Sequence, residues 1–188
     1  NNNDVSARIG TGATVDARGQ VLVQADYSGA MDVLAMAGAL GGGALAGAVV
    51  VVSDSSDAVA SLGDGQLQIS NAALVRVQAS HALDVRNAAA AVTGALIGGG
   101  AGVVVTTLSG SAEAMVGADA TIGTATGAVG GLQVLADAQT SVDGFQGLGP
   151  MSIALGVGGG SLAGGVAIVH DSVDDGNTAG QRATAHTQ

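Results

Sequence analysis

Apolar side chains fall on every second position over long stretches of this chain. Between Ile9 and Ala25, Val15, Ala17, Gly19, Val21, Val23 and Ala25 share one parity, while Asp16, Arg18, Gln20 and Gln24 hold the other, with Leu22 the exception. Between Gln66 and Ala79, Leu67, Ile69, Val75 and Val77 alternate with Gln66, Gln68, Arg76 and Gln78. Further on, Met151, Ile153, Leu155 and Val157 alternate with Ser152, Ala154, Gly156 and Gly158, so that one face is large and the other nearly bare. A period of two is the mark of a strand, because successive side chains leave a strand on opposite faces. The pattern predicts an all-β chain of many strands joined by tight turns.

The pattern also repeats. Gly-Gly-Gly begins at Gly41, Gly98 and Gly158, with spacings of 57 and 60. Val23-Gln24-Ala25 returns as Val77-Gln78-Ala79 and Val134-Leu135-Ala136, with spacings of 54 and 57. A third marker runs from Ala48 to Asp54 through four Val, and matches Gly102 to Thr107 and Gly165 to Asp171. An Ala-x-Ala-x-x-Gly element follows at Ala58 to Gly63 and at Ala112 to Gly117. Several markers in one fixed order indicate a repeat architecture, in which stacked units bury a core that none could bury alone. The whole chain, 1–188, then reads as one repetitive segment with units at 7–57, 58–111 and 112–175 and a tail or further unit at 176–188.

A unit of about 54–60 residues is long for a single turn of a parallel β-helix. Three coils of about 19 residues per unit would fit, stacked about 4.8 Å apart, and ten such coils would make a rod about 45 Å long. The Gly clusters are candidate β-hairpin turns within or beside that solenoid. Membrane helices are the rival reading, since Val33–Ser53, Asn87–Ala112 and Gly144–Val169 carry no charge and each exceeds the ~20 residues that span a bilayer. Three consecutive Gly interrupt each stretch, the Val runs are β-branched, and no aromatic belt flanks them.

Composition narrows the choice. There are 33 Gly, one Pro, one Tyr, one Phe and no Trp or Cys; all five basic residues are Arg, and Glu113 is the one acid that is not Asp. Small residues suit a narrow core, the missing Lys and scarce Glu remove two helix formers, and Asp, Asn, Ser and Gly favour turns. A net charge of −10 with no basic cluster excludes a nucleic-acid partner. Without Cys there is no disulfide or thiolate site. The chain opens Asn-Asn-Asn-Asp without Met or a signal peptide and reads as an excerpt of a longer protein.

Residues Ala7 to Ala25, ARIGTGATVDARGQVLVQA, resemble a coil of the filamentous haemagglutinin type, and the longer unit with its Gly cluster and Val run is similar to repeats of leukotoxin-like large filamentous adhesins of Gram-negative bacteria. The resemblance implies a right-handed parallel β-helix, export as a long passenger to the bacterial cell surface, and a role in adhesion or surface coating. It supplies no catalytic residues. The expected function is a structural or adhesive module, a spacer or self-associating surface whose partners are itself, neighbouring repeats or a cell-surface ligand; a membrane is not an expected partner. The alternative is a membrane-inserting or pore-forming segment using the three uncharged stretches.

Little in the chain points to site chemistry. His170 beside Asp171 invites a triad reading, but a strand end running into the polar turn Asp171–Asn177 accounts for the pair. His81 and His186 have no companions, and no enzyme activity is expected. Asp54–Asp57, Asp171–Asp175 and Gly63-Asp64-Gly65 invite a structural-calcium reading; none has the spacing of a calcium loop, so solvated turns are the expected role and no cofactor is expected. The Gly runs lack the Gly-Lys-Ser/Thr ending of a phosphate loop. Thr121, Thr124 and Thr126 cluster without the ranked array that ice binding needs.

Overall fold

The computed structural model describes residues 1–63, 66–144, 151–157, 160–171, 174–179 and 184–185; for 151–153, 160–161, 171, 174–179 and 184–185 it describes the backbone alone. The described residues form strands and no helix. In chain order these are β1 (Val5–Ile9), β2 (Thr14–Asp16), β3 (Gln20–Asp54), β4 (Asp57–Leu62), β5 (Gln68–Ser70), β6 (Leu74–Leu108), β7 (Ser111–Val116), β8 (Thr121–Ile122), β9 (Leu132–Asp143), β10 (Met151–Val157), β11 (Gly160–Asp171), β12 (Asp174–Ala179) and β13 (Thr184–Ala185).

They assort into three parallel sheets. The first runs β1-β4-β7-β12 and the second β2-β5-β8-β13. In the third, β6 is central, with β3 on one side and β9, β10 and β11 in succession along the other. The chain thus visits a short strand of the first sheet, a shorter one of the second and a long one of the third, then returns to the first one layer on. All-β character and parallel pairing agree with the sequence reading, and the arrangement is compatible with a β-solenoid.

Register identifies the rungs. Gln20 lies opposite Leu74, Thr14 opposite Gln68 and Asp57 opposite Ser111, each pair offset by 54 along the chain. Val75 lies opposite Leu132, an offset of 57, and Ala88 opposite Met151, an offset of 63. The marker Val23 stacks on Val77 and Val77 on Val134, while Val50 stacks on Val104 and Val104 on Ala167. One repeat is therefore one turn of the chain. This corrects the expectation of three ~19-residue coils per repeat and with it the 45 Å rod. Three turns at about 4.8 Å each rise only about 15 Å. The unit is long because β3 and β6 go out and come back, not because the chain circles three times.

The hairpin expectation is corrected too. The chain does reverse near Gly41 and Gly98, but among the described residues its two arms are not hydrogen-bonded to each other through the backbone. Among the described residues the antiparallel pairing is one isolated bridge, Thr124 with Gly127. Instead the arms face each other through side chains. Asn87 Nδ2 donates to Thr106 Oγ1 across the gap, and a Cβ on Gly100 would lie 3.3 Å from the Ala91 carbonyl oxygen. The Gly clusters are also out of step, since Gly98 stacks on Ala44 rather than on Gly41.

Two cores result. A three-sided body buries Val21, Val23, Leu62, Ile69, Val77 and Ile122 among others, drawn from all three sheets. The reversed arms of the third sheet enclose a second, narrower core of Val50, Val85, Ala89, Val104 and Leu108. Polar turn residues close the corners of the body: Asn71 and Asp119 adopt the left-handed region at φ 61 and 62, which Asn and Asp tolerate best after Gly. Asn71 Nδ2 also donates to Asp16 Oδ1 of the neighbouring turn at 2.6 Å. The alternation read from the sequence fits the body well, since Leu67, Ile69, Val75 and Val77 are fully buried and the odd one out, Leu22, is 49% exposed.

Truncating a fully buried side chain of this body removes apolar contact and leaves a cavity, a loss of about 2–5 kcal/mol. Urea unfolding of Ile69→Ala is expected to show a loss in that range, whereas Leu22→Ala should stay within about 0.5 kcal/mol of the parent.

Candidate functional site

The reversed arms of the third sheet make the most unusual surface of the molecule. In the first turn they comprise residues 33–41 and 44–53, in the second 87–95 and 98–107, and in the third 151–157 and 160–170, stacked in parallel. Each turn projects its pair of arms as a thin fin beyond the three-sided body.

Parity decides which residues face inward. On the outgoing arms Ala35 and Ala37 stack over Ala89 and Ala91, and on the returning arms Ala46 and Ala48 stack over Gly100 and Gly102. These point to the gap between the arms and are buried or half-buried. The residues between them point outward: Leu34, Met36 and Leu40 on one side, Leu45, Val49 and Val51 on the other. In the third turn Leu155 and Val157 are exposed with Ala154 and Gly156 half-buried beside them, and the returning arm is exposed throughout 162–170, Leu162, Val166 and Ile168 included. The large face read from the sequence at 151–157 is thus the outer face at Leu155 and Val157, and the bare face is the inner one.

The small inner residues are required by the spacing. A Cβ on Gly98 would lie 3.2 Å from Thr93 Oγ1 and 3.3 Å from the Ala44 carbonyl oxygen, so there is little room at this position for anything beyond hydrogen. At the root of the fin the second turn places a polar pair in the gap. Asn87 and Thr106 are both buried and hydrogen-bonded to each other, while the Thr93 hydroxyl further out has no partner.

The fin has a sharp border. On the outer face of the outgoing arms the last charged row is Asp32, Arg86 and Asp143, in register across three turns. Towards the body that face stays polar, with Gln24 donating to Asp26 and Arg86 paired with Asp84 at 3.2 Å. Beyond it no charged residue occurs until Asp54 in the first turn and Glu113 in the second.

The residues singled out for chemistry fall elsewhere. His81 is buried with both ring nitrogens unpartnered, stacked on Tyr27 at 4.9 Å between centroids, and in register with it one turn away. His170 is exposed on the outer face, in the row of Ser53 and Thr107, and the backbone of Asp171 pairs with Leu108. Asp54 is buried and accepts from the Ser56 hydroxyl at 3.1 Å. Asp57 accepts from the backbone and hydroxyl of Ser111 one turn on, at 2.9 and 2.8 Å. These two aspartates cap strand junctions. Thr121 lies in β8, Thr124 in a turn with Gly127, and Thr126 is exposed. Asp64, Gly65 and His186 lie outside the described residues, as do residues 172–173 of the acidic stretch Asp171–Asp175. No group of three His, Asp or Glu side chains that could hold a metal ion occurs among the described residues.

A groove on the body, lined by Ser6, Arg8, Thr11, Ser61, Gly63 and Met115, runs over the outer face of the first sheet. A shallower apolar groove crosses the fin, with Gly47, Gly99 and Ala101 as its floor and Leu45 and Leu162 as its walls. Comparison with protein-family models, with curated proteins and with solved structures finds no match.

Enlarging an inner glycine should force the arms apart. Gly100→Leu is expected to cost about 1–3 kcal/mol through overpacking. Hydrogen exchange should speed up for amides of 87–107 and stay slow for 67–79. Separately, Thr106→Val should cost about 1–3 kcal/mol by leaving the Asn87 amide buried and unpaired. The double variant Asn87→Leu/Thr106→Val, read by urea unfolding, should recover most of that loss.

Proposed function

We propose that the chain is a structural and adhesive module of a secreted bacterial surface filament or adhesin, folded as a right-handed parallel β-solenoid. The observation that carries the reading is the coil-on-coil register. Among the described residues each turn is hydrogen-bonded to the turn before and the turn after, through all three sheets. Right-handedness follows the strong general preference of crossovers between parallel strands. The resemblance of residues 7–25 to a filamentous haemagglutinin coil and the ordered repeat support export and adhesion.

The geometry weighs against reach as the module's purpose. A turn of this length that rises only about 4.8 Å is a poor spacer. What the long unit does provide is width, because each turn adds another row to a broad lateral surface. The module therefore works by displaying surface, and its open edges let it continue along the axis. Among the described residues β3 pairs with β6 along one edge only, and an edge of this kind joins other strands.

Small-angle scattering on two copies of the chain fused head to tail tests this. Stacking expects the cross-section to stay constant while the long dimension grows by about 15 Å. A doubled cross-section would exclude continuous coils. Sedimentation of the single copy should show concentration-dependent association through its edges, and a strictly monomeric chain at high concentration would sink the self-association part.

A further inference from the structure

The fin is more apolar outside than its own fold demands, and both of its faces share that property. The arms hold together through small inner residues and inter-turn hydrogen bonds, neither of which needs leucines on the outside. Yet the most exposed large side chains among the described residues all lie on the fin: Leu40 is 88% exposed, Leu45 85%, Leu162 80%, Met36 76%, and Leu96 and Ile97 at the reversal 73% each. Contiguous exposed apolar surface of this kind marks a surface that is covered in use.

We propose that the fin enters the hydrocarbon of a neutral, zwitterionic lipid bilayer, tip first, up to the charged row Asp32, Arg86 and Asp143. This names the adhesive partner of the module and rests on the stacked-coil reading.

Depth is the first argument. From that row to the reversal near Gly41 the outgoing arm has nine uncharged residues, Val33 to Gly41. At about 3.3 Å per residue they reach about 30 Å, the thickness of a bilayer's hydrocarbon core. The stretches that fail as membrane helices, because three glycines break them, have a suitable length as strands.

Backbone satisfaction is the second. Hydrocarbon offers no hydrogen bonds, so a lipid-exposed strand must have its N–H and C=O groups bonded within the protein. β6 meets this condition over most of its length. It pairs with β3 from Leu74 to Leu108 at every position but Leu96, and along the other edge with β9 at 75–86, β10 at 88–94 and β11 at 97–108. The outer edge of β3, paired on one side among the described residues, needs a further coil for the same reason, so insertion and axial stacking reinforce each other.

Shape separates lipid from a second copy of the chain. Packing two fins face to face would leave the leucine-rich tips and the opposite faces in water, whereas immersion covers both faces and the tip at once. The outer surface is also uneven: the row Gly38, Val92, Leu155 runs from no side chain to a large one, and Leu45, Gly99, Leu162 has a gap in the middle. Fluid acyl chains fill such gaps, whereas a flat protein face does not.

Charge selects the lipid. On the outgoing face the polar rows below the fin carry Asp26, Asp32, Asp84, Asp137 and Asp143 against Arg76 and Arg86. A net negative rim gains nothing from anionic headgroups and favours zwitterionic ones.

The protein has no Trp, so one can be introduced as a reporter of depth. Leu96→Trp in the full chain, mixed with phosphatidylcholine vesicles brominated deep in the acyl chain, is expected to show strong quenching. Leu22→Trp, on the polar outer face of the body, should show little. In flotation, the parent should rise with phosphatidylcholine vesicles, and less well when anionic lipid is added. The double variant Leu40→Asp/Leu96→Asp, whose sites are exposed and whose fold is checked by circular dichroism, should lose at least tenfold in bound fraction. Parent protein that stays with the soluble fraction, or a double variant that floats equally well, would overturn the proposal. So would lipid-free oligomers that the same double variant abolishes, since these would assign the fin to a second copy. The head-to-tail scattering experiment reads coil stacking without lipid, so failure of the membrane proposal and failure of the solenoid reading give different results.

Discussion

The third sheet depends on one constraint: among the described residues the long strands find their backbone hydrogen-bond partners in neighbouring turns and not within their own. β6 is bonded to β3 at an offset of 54, and to β9, β10 and β11 at offsets of 57 and 63. Because the outgoing and returning arms exchange no backbone bonds, nothing but side-chain size sets their separation. Alanine and glycine on most of the inner parity let them come close, and a larger inner residue such as Thr93 is set against a glycine, Gly98. A core this thin buries little apolar surface per residue. Its stability comes from length and repetition, as in other one-dimensional stacks.

The same constraint explains which features the sequence disclosed. Strand parity was legible because a half-buried strand must alternate, and Val21, Val23, Ile69, Val75 and Val77 are buried as their parity requires. The repeat was legible because stacking places like residues on like, so that the Val-Gln-Ala and Val-run markers became rungs of a ladder. The number of coils was not. Alternation tells which face a residue occupies but not which strand lies beside it, and the repeat length divides evenly into three plausible coils. Reading Asn87 and Thr106 as partners across an arch would have required knowing that the chain folds back between Ala95 and Gly98. Two consecutive exposed residues there, Leu96 and Ile97, are the local sign of a parity change, but a run of Gly and Ala hides it.

The candidate surface was half legible. The uncharged stretches stood out at once, yet their length suggested helices or core. Only the register shows that Leu34, Met36 and Leu40 share an outer face while the alanines between them face in. The expectation that buried faces carry the larger residues reverses in the fin, because there the space is inside and the size is outside. By contrast the acidic clusters at Asp54 and Asp57, which attracted a calcium reading, hold strand junctions together with Ser56 and Ser111.

A single strand makes the case that the outer face of the fin has its own purpose. β3 alternates on either side of the parity change at its Gly cluster, and its inner residues are apolar or small from Val21 to Val52. Its outer residues change character partway. Gln24, Asp26, Ser28 and Asp32 give way to Leu34, Met36 and Leu40 within one continuous strand. The backbone geometry and the pairing with β6 are the same on both sides of that change, so folding places the same demands on both. Polar residues serve well enough on the first half, and they would keep the second half soluble too. The switch at Asp32 therefore answers to the surroundings of the fin rather than to its construction. In β6 it recurs one turn on, where Arg86 is the last charge before Ala88, Ala90 and Val92. A boundary held in register from turn to turn is what a planar interface between water and an apolar phase would select.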